Sequence, residues 1–409
     1  DLHTAYRRQR QMCIRDSGMA GLVLAGALTG CALLDQQEAV SRENEDTSIQ
    51  QMQQDAAEVD PMEELLRDHY EDYQEEGGEI AFVSDGTVMD GGYNEVIYEG
   101  VQMYGLAAGV SFSCYNIEED NFQGHLEIVE HAINKQAKII VCAGYDFQEA
   151  VGKLQDSYPE VSFLLIDGEP VDAEGNLVDL NDNVHCVSFQ EEESGYIAGY
   201  VAVLEGYRHL GFIGGKKDPA VIRYGHGYLQ GIDDAAKELE LEDVTVNYWY
   251  AGTYQPSEKI YEKALGWYDE GIDIIFVCGG PIYESVLGAA EEKEGLLIGA
   301  DVDQCKTSDR FLTSAVKDIA NAVVISLDNY YAAGRKWSEE FAGKSIRYGA
   351  QENCTGIPIL ETEWRFQKVT MDKCYEIYAQ IRQGKISVSD EILRRPQVSV
   401  TVKYVSAGG

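Results

Sequence analysis

The stretch EIAFVSDGTVMDGGYNEVIYEGVQMYGL, residues 79–106, contains the structural unit that recurs along the rest of the chain. It begins with a short, continuous apolar run, which is typical of a strand buried on both faces. It ends with apolar residues at the spacing of an amphipathic helix. Glycines and polar residues lie between the two. The stretch therefore predicts a β–α unit with polar groups at the carboxyl end of its strand.

Similar apolar runs recur downstream, separated by segments of helical length and period. Examples are AKIIVCAG (137–144), VSFLLID (161–167) and IDIIFVCGG (272–280). This alternation predicts an α/β fold with parallel sheets and right-handed crossovers. About ten such strands are too many for one small domain. We therefore expect two doubly wound lobes, each with its own sheet.

Composition excludes one class of partner and gives no sign of a cofactor. The 409-residue chain carries a formal net charge of −39 and has no basic stripe, so we expect no nucleic-acid partner. Its nine cysteines include no CxxC pair, and their spacing predicts neither a metal site nor a disulfide framework. We expect no cofactor.

The first 31 residues have the pattern of an export signal. The chain starts at Asp1, and we expect part of residues 1–17 to be foreign to the natural protein. An apolar run follows at residues 19–30, too short to span a membrane. It ends in Leu-Thr-Gly-Cys, similar to the lipobox of bacterial lipoproteins, in which the cysteine, here Cys31, carries the lipid. Residues 32–78 contain fifteen acidic and two basic residues, which predicts a solvated, disordered tether.

Polar and aromatic residues follow the predicted strands, where open α/β sheets bind ligands. Those that we select as ligand-binding candidates are Asp90, Tyr93, Asn94, Tyr145, Phe147, Glu149, Tyr224, Gly279, Gly280, Asp301 and Lys317. Carboxylates can accept hydrogen bonds from vicinal hydroxyls, tyrosine rings can stack, and asparagine offers both a donor and an acceptor. This set suits recognition of a flat, neutral, polyhydroxylated molecule.

The same residues suit catalysis poorly. The sequence contains no G-x-S-x-G elbow and no P-loop, and its histidines are scattered without an adjacent nucleophile. We therefore expect no enzymatic activity. The three acids Glu191, Glu192 and Glu193 are interpreted as residues that stabilise the start of a helix through its dipole.

Five motifs in order resemble those of the basic membrane protein family, the purine-nucleoside-binding lipoproteins of ABC importers. They begin with the stretch from Asp90 to Asn94. The others are FQEEESGYIAGYVA (189–202), GFIGGKKDPAVIRYGHGYLQG (211–231), IGADVDQ (298–304) with LTSAVKD (312–318), and IRQGKISVS (381–389). The resemblance covers roughly residues 79–390.

The resemblance implies the type-I periplasmic binding fold, in which two lobes joined by a hinge close over the ligand. We expect residues 79–188 and about 304–345 in the first lobe, and 189–303 and about 346–395 in the second. Residues 396–409 form a tail, interpreted as a candidate edge strand.

The resemblance also implies roles for several candidates. Asn94, with Asp90 beside it, would hydrogen-bond the base, and Tyr224 stands where the family has a stacking phenylalanine. Asp301 and Lys317 would hold the sugar. Tyr93 replaces a phenylalanine of the family and would support the pocket. The loop 145–149 would contact the base, and it has Glu149 where aspartate is expected. Gly279 and Gly280 would lie against the ligand.

The implied partners are a nucleoside and the permease subunits of an ABC importer. The protein would act as a monomer, held by its lipid on the outer face of the cell membrane. Three alternatives remain open: a sugar or autoinducer-type receptor of the same fold, a ligand sensor for a membrane kinase, and an enzyme such as a nucleoside hydrolase. The sequence leaves the choice between purine and pyrimidine open.

Overall fold

Two parallel sheets form the framework of the chain. The computed structural model describes residues 77–86, 88, 92–360 and 364–406. In this part, the first sheet has the strand order β11-β5-β4-β3-β1-β2, and every pairing in it is parallel. Its strands are β1 Ile80–Ser84, β2 Phe112–Asn116, β3 Ile139–Ala143, β4 Ser162–Ile166, β5 Val184–Phe189 and β11 Lys344–Tyr348.

The second sheet has seven strands in the described residues, in the order β12-β10-β9-β8-β6-β7-β13. All its pairings are parallel except that of β12 with β10. Its strands are β6 His209–Gly214, β7 Thr245–Tyr250, β8 Ile274–Cys278, β9 Leu296–Asp301, β10 Phe311–Lys317, β12 Thr355–Gly356 and β13 Thr401–Tyr404.

Helices connect and cover the strands. In the described residues they are α1 Tyr93–Ala108, α2 Phe122–Asn134, α3 Gln148–Ser157, α4 Glu191–Glu205, α5 Pro219–Glu238, α6 Glu258–Asp269, α7 Tyr283–Lys293, α8 Ile319–Ala332 and α9 Met371–Arg382. Along β1, Ile80 and Phe82 lie in one apolar cluster, whereas Ala81 and Val83 lie in another. The strand is thus buried on both faces, and the predicted α/β class is confirmed.

The chain passes between the two sheets three times. It leaves the first sheet after β5, returns after β10, and leaves again between β11 and β12. We call the part built on the first sheet, with α8, the first lobe, and the part built on the second sheet the second lobe. Helix α8 belongs to the first lobe because a Cβ atom at Gly100 of α1 would lie 2.8 Å from the Ala320 carbonyl oxygen.

The second crossing differs from the expected position. The sequence analysis starts the returning segment of the first lobe near residue 304, whereas β9 and β10 pair with each other in the second sheet. The return therefore occurs at residues 317–319. The tail adds strand β13 beside β7, with Thr401 opposite Thr245. The carboxylate of Asp233 holds this strand in place by accepting hydrogen bonds from the backbone of Ser399 and Val400.

The first turn of α4 ties the crossing segments together. The Glu193 carboxylate accepts hydrogen bonds from the Ala350 backbone at 2.7 Å and the Thr355 hydroxyl at 2.6 Å. The Ser194 hydroxyl donates to the Val316 carbonyl and accepts from the Gly356 backbone. These bonds join segments that lie far apart in sequence. Among the helices that the structure describes, none is both long and apolar enough to cross a membrane.

Candidate functional site

The two lobes meet at a small cavity. First-lobe residues Gly92 and Tyr93 line one side of it. The second lobe supplies Val277, Gly279, Gly280, Pro281, Tyr283, Ala300, Asp301 and Gln304. The cavity volume is about 20 Å³, which is room for roughly one water molecule. The lobes are therefore close together in this structure.

A buried ammonium group lies beside this cavity. Lys317 is the last residue of β10, and only 4% of it is exposed. Its Nζ donates a hydrogen bond to Asp167 and lies 3.3 Å from Asp301 Oδ1 and 3.7 Å from Glu191 Oε1. It also lies 5.3 Å from the ring centroid of Tyr93. One cation thus joins three carboxylates from both lobes.

The charges in this cluster stabilise one another. Burial alone would lower the pKa of Lys317, but Asp167, Asp301 and Glu191 raise it well above its usual value. Burial raises the pKa of Asp167 to about 6, and the neighbouring Lys317 opposes that rise. The Lys317 cation thus favours the ionised form of Asp167, and Asp167 favours the charged form of Lys317. A buried pair of this kind depends on both partners, because either charge alone would be strongly disfavoured.

Asp167 directly follows β4, and the sequence analysis did not select it. Its φ of 58° is a left-handed conformation that aspartate tolerates better than most residues. Its backbone N–H donates to the Val187 carbonyl at 2.7 Å, which fixes the residue at the end of the sheet. Its Oδ1 atom is buried without a hydrogen-bond partner in the described residues. An acid immediately after the apolar run 161–166 was the signal that could have identified it.

Asp301 holds the equivalent place in the second lobe. It ends β9 with a φ of 68°, and its side chain is 15% exposed. The hydroxyl of Tyr224 donates to its Oδ1 at 3.2 Å. Tyr224 itself is almost completely buried in α5, and its ring meets Phe276 edge-on at 5.9 Å. Asp301 therefore faces the cavity while the tyrosine anchors it from behind.

The start of α1 supplies groups from the first lobe. The Tyr93 hydroxyl donates to the Ile166 carbonyl at 3.2 Å, and Asn94 Nδ2 donates to Asp85 Oδ1 at 3.4 Å. Asp90, selected beside them, lies outside the residues that the structure describes. Asn94 is buried close to the lining residue Tyr93, at the position where the sequence analysis expects contact with a base.

The turn after β3 contributes less directly. The Tyr145 hydroxyl accepts a hydrogen bond from the Ala220 backbone of the second lobe at 3.2 Å. Phe147 is fully buried in an apolar cluster and meets the ring of His125 edge-on at 4.8 Å. Glu149 lies in the first turn of α3 and is partly exposed. The set that lines the cavity includes neither Phe147 nor Glu149.

The glycine pair after β8 lets the backbone line the cavity. Gly279 has a φ of 145° and Gly280 a φ of 58°, both in the region that favours glycine. A Cβ atom at Gly279 would lie 2.8 Å from the Gly215 nitrogen. A side chain at Gly279 would therefore push the turns after β6 and β8 apart.

Glu191 is more than the helix-start residue that the sequence analysis describes. It does begin α4, yet it is fully buried and its Oε2 accepts a hydrogen bond from Arg223 Nε at 2.6 Å. Its neighbour Glu192 lies 3.3 Å from Arg347, which in turn pairs with Asp390 at 2.7 Å. A chain of contacts between ionisable side chains thus runs from Lys317 through Glu191, Arg223 and Glu192 to Arg347. Sequence spacing could not show it, because its members come from distant segments.

The cavity lining therefore combines the Asp301 carboxylate, the side chains of Tyr93 and Tyr283, and the glycine backbone after β8. The Lys317 ammonium lies 3.3 Å from that carboxylate. These are donors and acceptors suited to the hydroxyls and heteroatoms of a small polar molecule. Among the described residues, those that line the cavity include no histidine and no cysteine. The arrangement favours recognition by hydrogen bonding and ring contact.

Solved structures share the fold. A solute-binding protein of an ABC transporter from Conexibacter woesei aligns with a TM-score of 0.59 and 18% identity, covering 76% of this chain and 98% of its own. A solute-binding protein from Aeropyrum pernix aligns with a TM-score of 0.58 and 19% identity, covering 75% and 86%. These likenesses confirm the predicted type-I periplasmic binding fold.

Curated relatives agree with the resemblance found in the sequence. Basic membrane protein B of Borreliella burgdorferi is 25% identical over 68% of this chain and 80% of its own length. The ABC transporter nucleoside-binding protein BmpA of Lactococcus lactis is 25% identical over 59% of this chain and 72% of its own. A family model described as ABC transporter substrate-binding protein PnrA-like matches residues 78–391, and the chain therefore belongs to this family of ABC transporter substrate-binding proteins.

Proposed function

We propose that this protein captures a purine nucleoside between its lobes on the outer face of the cell membrane and delivers it to ABC permease subunits. Its relative from Lactococcus lactis carries the name nucleoside-binding protein. The observation that carries the proposal is the buried Lys317, which contacts Asp167 of the first lobe and Asp301 of the second. This contact lies beside a cavity that residues of both lobes line. The protein binds its ligand reversibly, as a monomer, and performs no chemistry on it.

The proposed contacts divide between the lobes. Asp301 accepts hydrogen bonds from the ribose hydroxyls, and Lys317 donates to the sugar. Asn94, with Asp90, forms hydrogen bonds to the base. Tyr93 supports the pocket, and Tyr224 is the proposed stacking residue. Gly279 and Gly280, after β8, lie against the ligand because they have no side chains. The turn that holds Tyr145, Phe147 and Glu149 contacts the base.

Binding requires the lobes to separate. A cavity of about 20 Å³ cannot hold a nucleoside, so the cleft opens at the three crossing segments before the ligand enters. Asp167 and Asp301 lie on different lobes, and Lys317 sits at the crossing between them. On closure, the ligand's hydroxyls share this cation and these carboxylates.

Most of the binding free energy must come from the polar contacts. Stacking contributes about 1–3 kcal/mol per base in nucleic-acid complexes. A micromolar dissociation constant needs about −8 kcal/mol. Ring contacts alone therefore fall short, and the groups around Lys317 and Asp301 supply much of the remainder.

We also propose that a lipid on Cys31 anchors the protein. This residue lies outside the described part of the chain, and the support is the apolar run at 19–30 that ends in Leu-Thr-Gly-Cys. Replacing the cysteine, Cys31→Ser, is expected to move the exported protein from the membrane fraction to the soluble fraction. An unchanged distribution between the two fractions would contradict the anchor.

A thermal-shift panel tests the ligand class. Purine nucleosides, pyrimidine nucleosides, free bases and free sugars are compared at equal concentration, because a ligand that binds only the folded state raises the melting temperature. The proposal predicts the largest rise with purine nucleosides and little with ribose, galactose or xylose. Stabilisation by sugars alone would favour the rival sugar receptor.

A further inference from the structure

Three side chains of types that commonly bind metals lie close together in the first lobe, beside the turn that follows β3. Asp120 lies in the loop before α2, His125 in the first turn of α2, and Asp146 in the turn after β3. One ligating atom from each residue lies within 4.8 Å of the other two. None of the three is among the residues selected to bind the nucleoside, although Asp146 lies in the loop 145–149 on the base side of the proposed site.

His125 is the most informative member of this group. It is 3% exposed, and its Nδ1 lies 2.6 Å from the Asn121 carbonyl oxygen. Because a carbonyl oxygen only accepts, Nδ1 carries the proton, and in the neutral imidazole Nε2 then presents a lone pair. Nε2 is buried and has no hydrogen-bond partner in the described residues. A buried acceptor without a partner costs free energy, so its retention calls for an explanation.

The unpartnered nitrogen faces the carboxylates. Nε2 lies 3.9 Å from Asp120 Oδ1, which is too far for a hydrogen bond. A metal-ligating histidine usually donates its other N–H to a backbone carbonyl or a carboxylate, as His125 does to Asn121. The arrangement therefore matches a histidine prepared for a cation more closely than one paired with an acid.

We propose that Asp120, His125 and Asp146 bind a divalent transition-metal ion. One imidazole nitrogen and two carboxylate oxygens suit Zn²⁺, Co²⁺ or Mn²⁺, whereas Mg²⁺ and Ca²⁺ prefer oxygen ligands alone. Bonds of 2.0–2.2 Å place neighbouring ligand atoms of a tetrahedral site roughly 3.3–3.6 Å apart. The side chains of Asp120 and Asp146 are 74% and 37% exposed, so they can rotate the short distance required.

The local charge favours a cation. The two carboxylates balance the charge of a divalent ion. In the described residues, the cationic side chain beside this group is that of Lys216, from the second lobe. Its Nζ lies 3.8 Å from Asp146 Oδ2.

The position links the ion to lobe closure. Lys216 lies across the cleft from Asp146, so the metal and the lysine compete for the same carboxylate. Tyr145, the preceding residue, contacts Ala220 of the second lobe. A bound ion therefore changes the interlobe contacts at the rim of the cleft, while the cavity around Lys317 is left intact.

Calorimetric titration of the full chain with Zn²⁺, in the absence of nucleoside, tests the site. Wild-type protein is expected to bind one equivalent, with Asp120→Asn and Asp146→Asn each weakening that binding at least tenfold. Glu118→Gln, an exposed acid in the same loop, removes the same charge and should leave binding unchanged. Visible absorption of Co²⁺ should shift on binding to wild type, and His125→Gln should abolish the shift.

The two aspartate variants keep the test decisive if the buried histidine variant misfolds. Equal Zn²⁺ affinity in wild type, D120N and D146N would overturn the proposal, because binding would then come from other carboxylates or thiols. Absence of any binding to wild type would overturn it as well. The titration contains no nucleoside, so its result is independent of the proposed transport function.

Discussion

At the scale of single residues, the proposed function depends on a cation held between carboxylates that belong to different lobes. Lys317 and Asp167 are both almost completely buried, and each would be costly to bury alone. Asp301 completes the group and is the member that faces the cavity. The proposed nucleoside site therefore uses groups that also join the two lobes.

Replacing Asp301 separates ligand binding from folding. A hydrogen bond to a charged group contributes about 1.5–3 kcal/mol, so Asp301→Ala should weaken nucleoside binding roughly 10- to 150-fold. Its melting temperature should change little, because Lys317 keeps Asp167 and Glu191 as partners. Calorimetric affinity and thermal unfolding are measured on the same samples.

Asp303 provides the matched control for this substitution. Its Oδ1 accepts a hydrogen bond from the Cys305 backbone at 3.0 Å, so it caps the turn after β9. Asp303→Ala should lower stability by about 1 kcal/mol and leave nucleoside affinity unchanged. The reverse pattern, with affinity lost only in Asp303→Ala, would remove Asp301 from the sugar site.

Glu192 makes stability depend on pH. Burial raises its pKa from 4.5 to about 8, with Arg347 opposing the rise. Between these values the folded protein holds a proton that the unfolded chain has released, so the free energy of unfolding falls as pH rises from about 4.5 to 8. Glu192→Gln should flatten this fall by a few kcal/mol at most, on the order expected for a shift of this size.

Urea unfolding at pH 5, 6, 7 and 8 measures the slope. Glu270→Gln, which removes an exposed acid after α6, serves as the control and should keep the wild-type slope. Identical slopes for wild type and Glu192→Gln would show that Glu192 is ionised in the folded protein throughout this range.

The sequence identified some residues of the candidate site but not others, because strand ends leave a local pattern whereas contacts between distant segments do not. Asp301 and Lys317 follow apolar runs, so their position at a strand end predicted their place at the cleft. Glu191 follows such a run too, but its burial depends on Arg223 of another helix, which no spacing reveals. The roles given to Phe147 and Glu149 rest on resemblance alone and stay predictions.

At the scale of elements, two helices of the second lobe pack unusually closely, because glycines stand where they meet. Gly195 and Gly199 of α4 face α5, and Gly227 and Gly231 of α5 face α4. A Cβ atom at any of these four positions would lie 2.0–2.3 Å from a backbone oxygen of the other helix. This approach brings Arg223 of α5 to Glu191 at the start of α4.

Adding one methyl group tests this packing. At Gly227 a Cβ atom would lie 2.0 Å from the Glu192 oxygen, so Gly227→Ala must push the helices apart and should cost about 1–3 kcal/mol. Gly266 in α6 has no atom within 4 Å of such a Cβ atom, so Gly266→Ala should gain about 0.5–1 kcal/mol from helix propensity. Denaturant unfolding that ranks the two variants equally would contradict the close approach.

Elements were easier to predict from sequence than their partners. Continuous apolar runs identified the strands, because burial on both faces leaves a local pattern. The pairing of β10 with β9 depends on contacts between segments, and so did the place where the chain returns to the first lobe. The Asp120, His125 and Asp146 group was invisible for the same reason, since three separate segments supply it.

At the scale of the whole molecule, three crossings and the bonds around Glu193 and Ser194 join the lobes at one side. The cavity lies between the lobes and is too small for a nucleoside in this arrangement. The proposed function therefore requires the lobes to separate and close again during each cycle of capture. The polar character of the interface, with Lys317 and three carboxylates at its centre, makes such separation less costly than parting two apolar faces.

The most direct test of the central claim is a calorimetric titration of the protein with inosine, followed by chromatography of the recovered ligand. The account predicts one binding site per chain, a dissociation constant in the micromolar range or below, and recovery of intact inosine. No heat of binding with inosine, adenosine or guanosine, or release of free hypoxanthine from inosine, would contradict it.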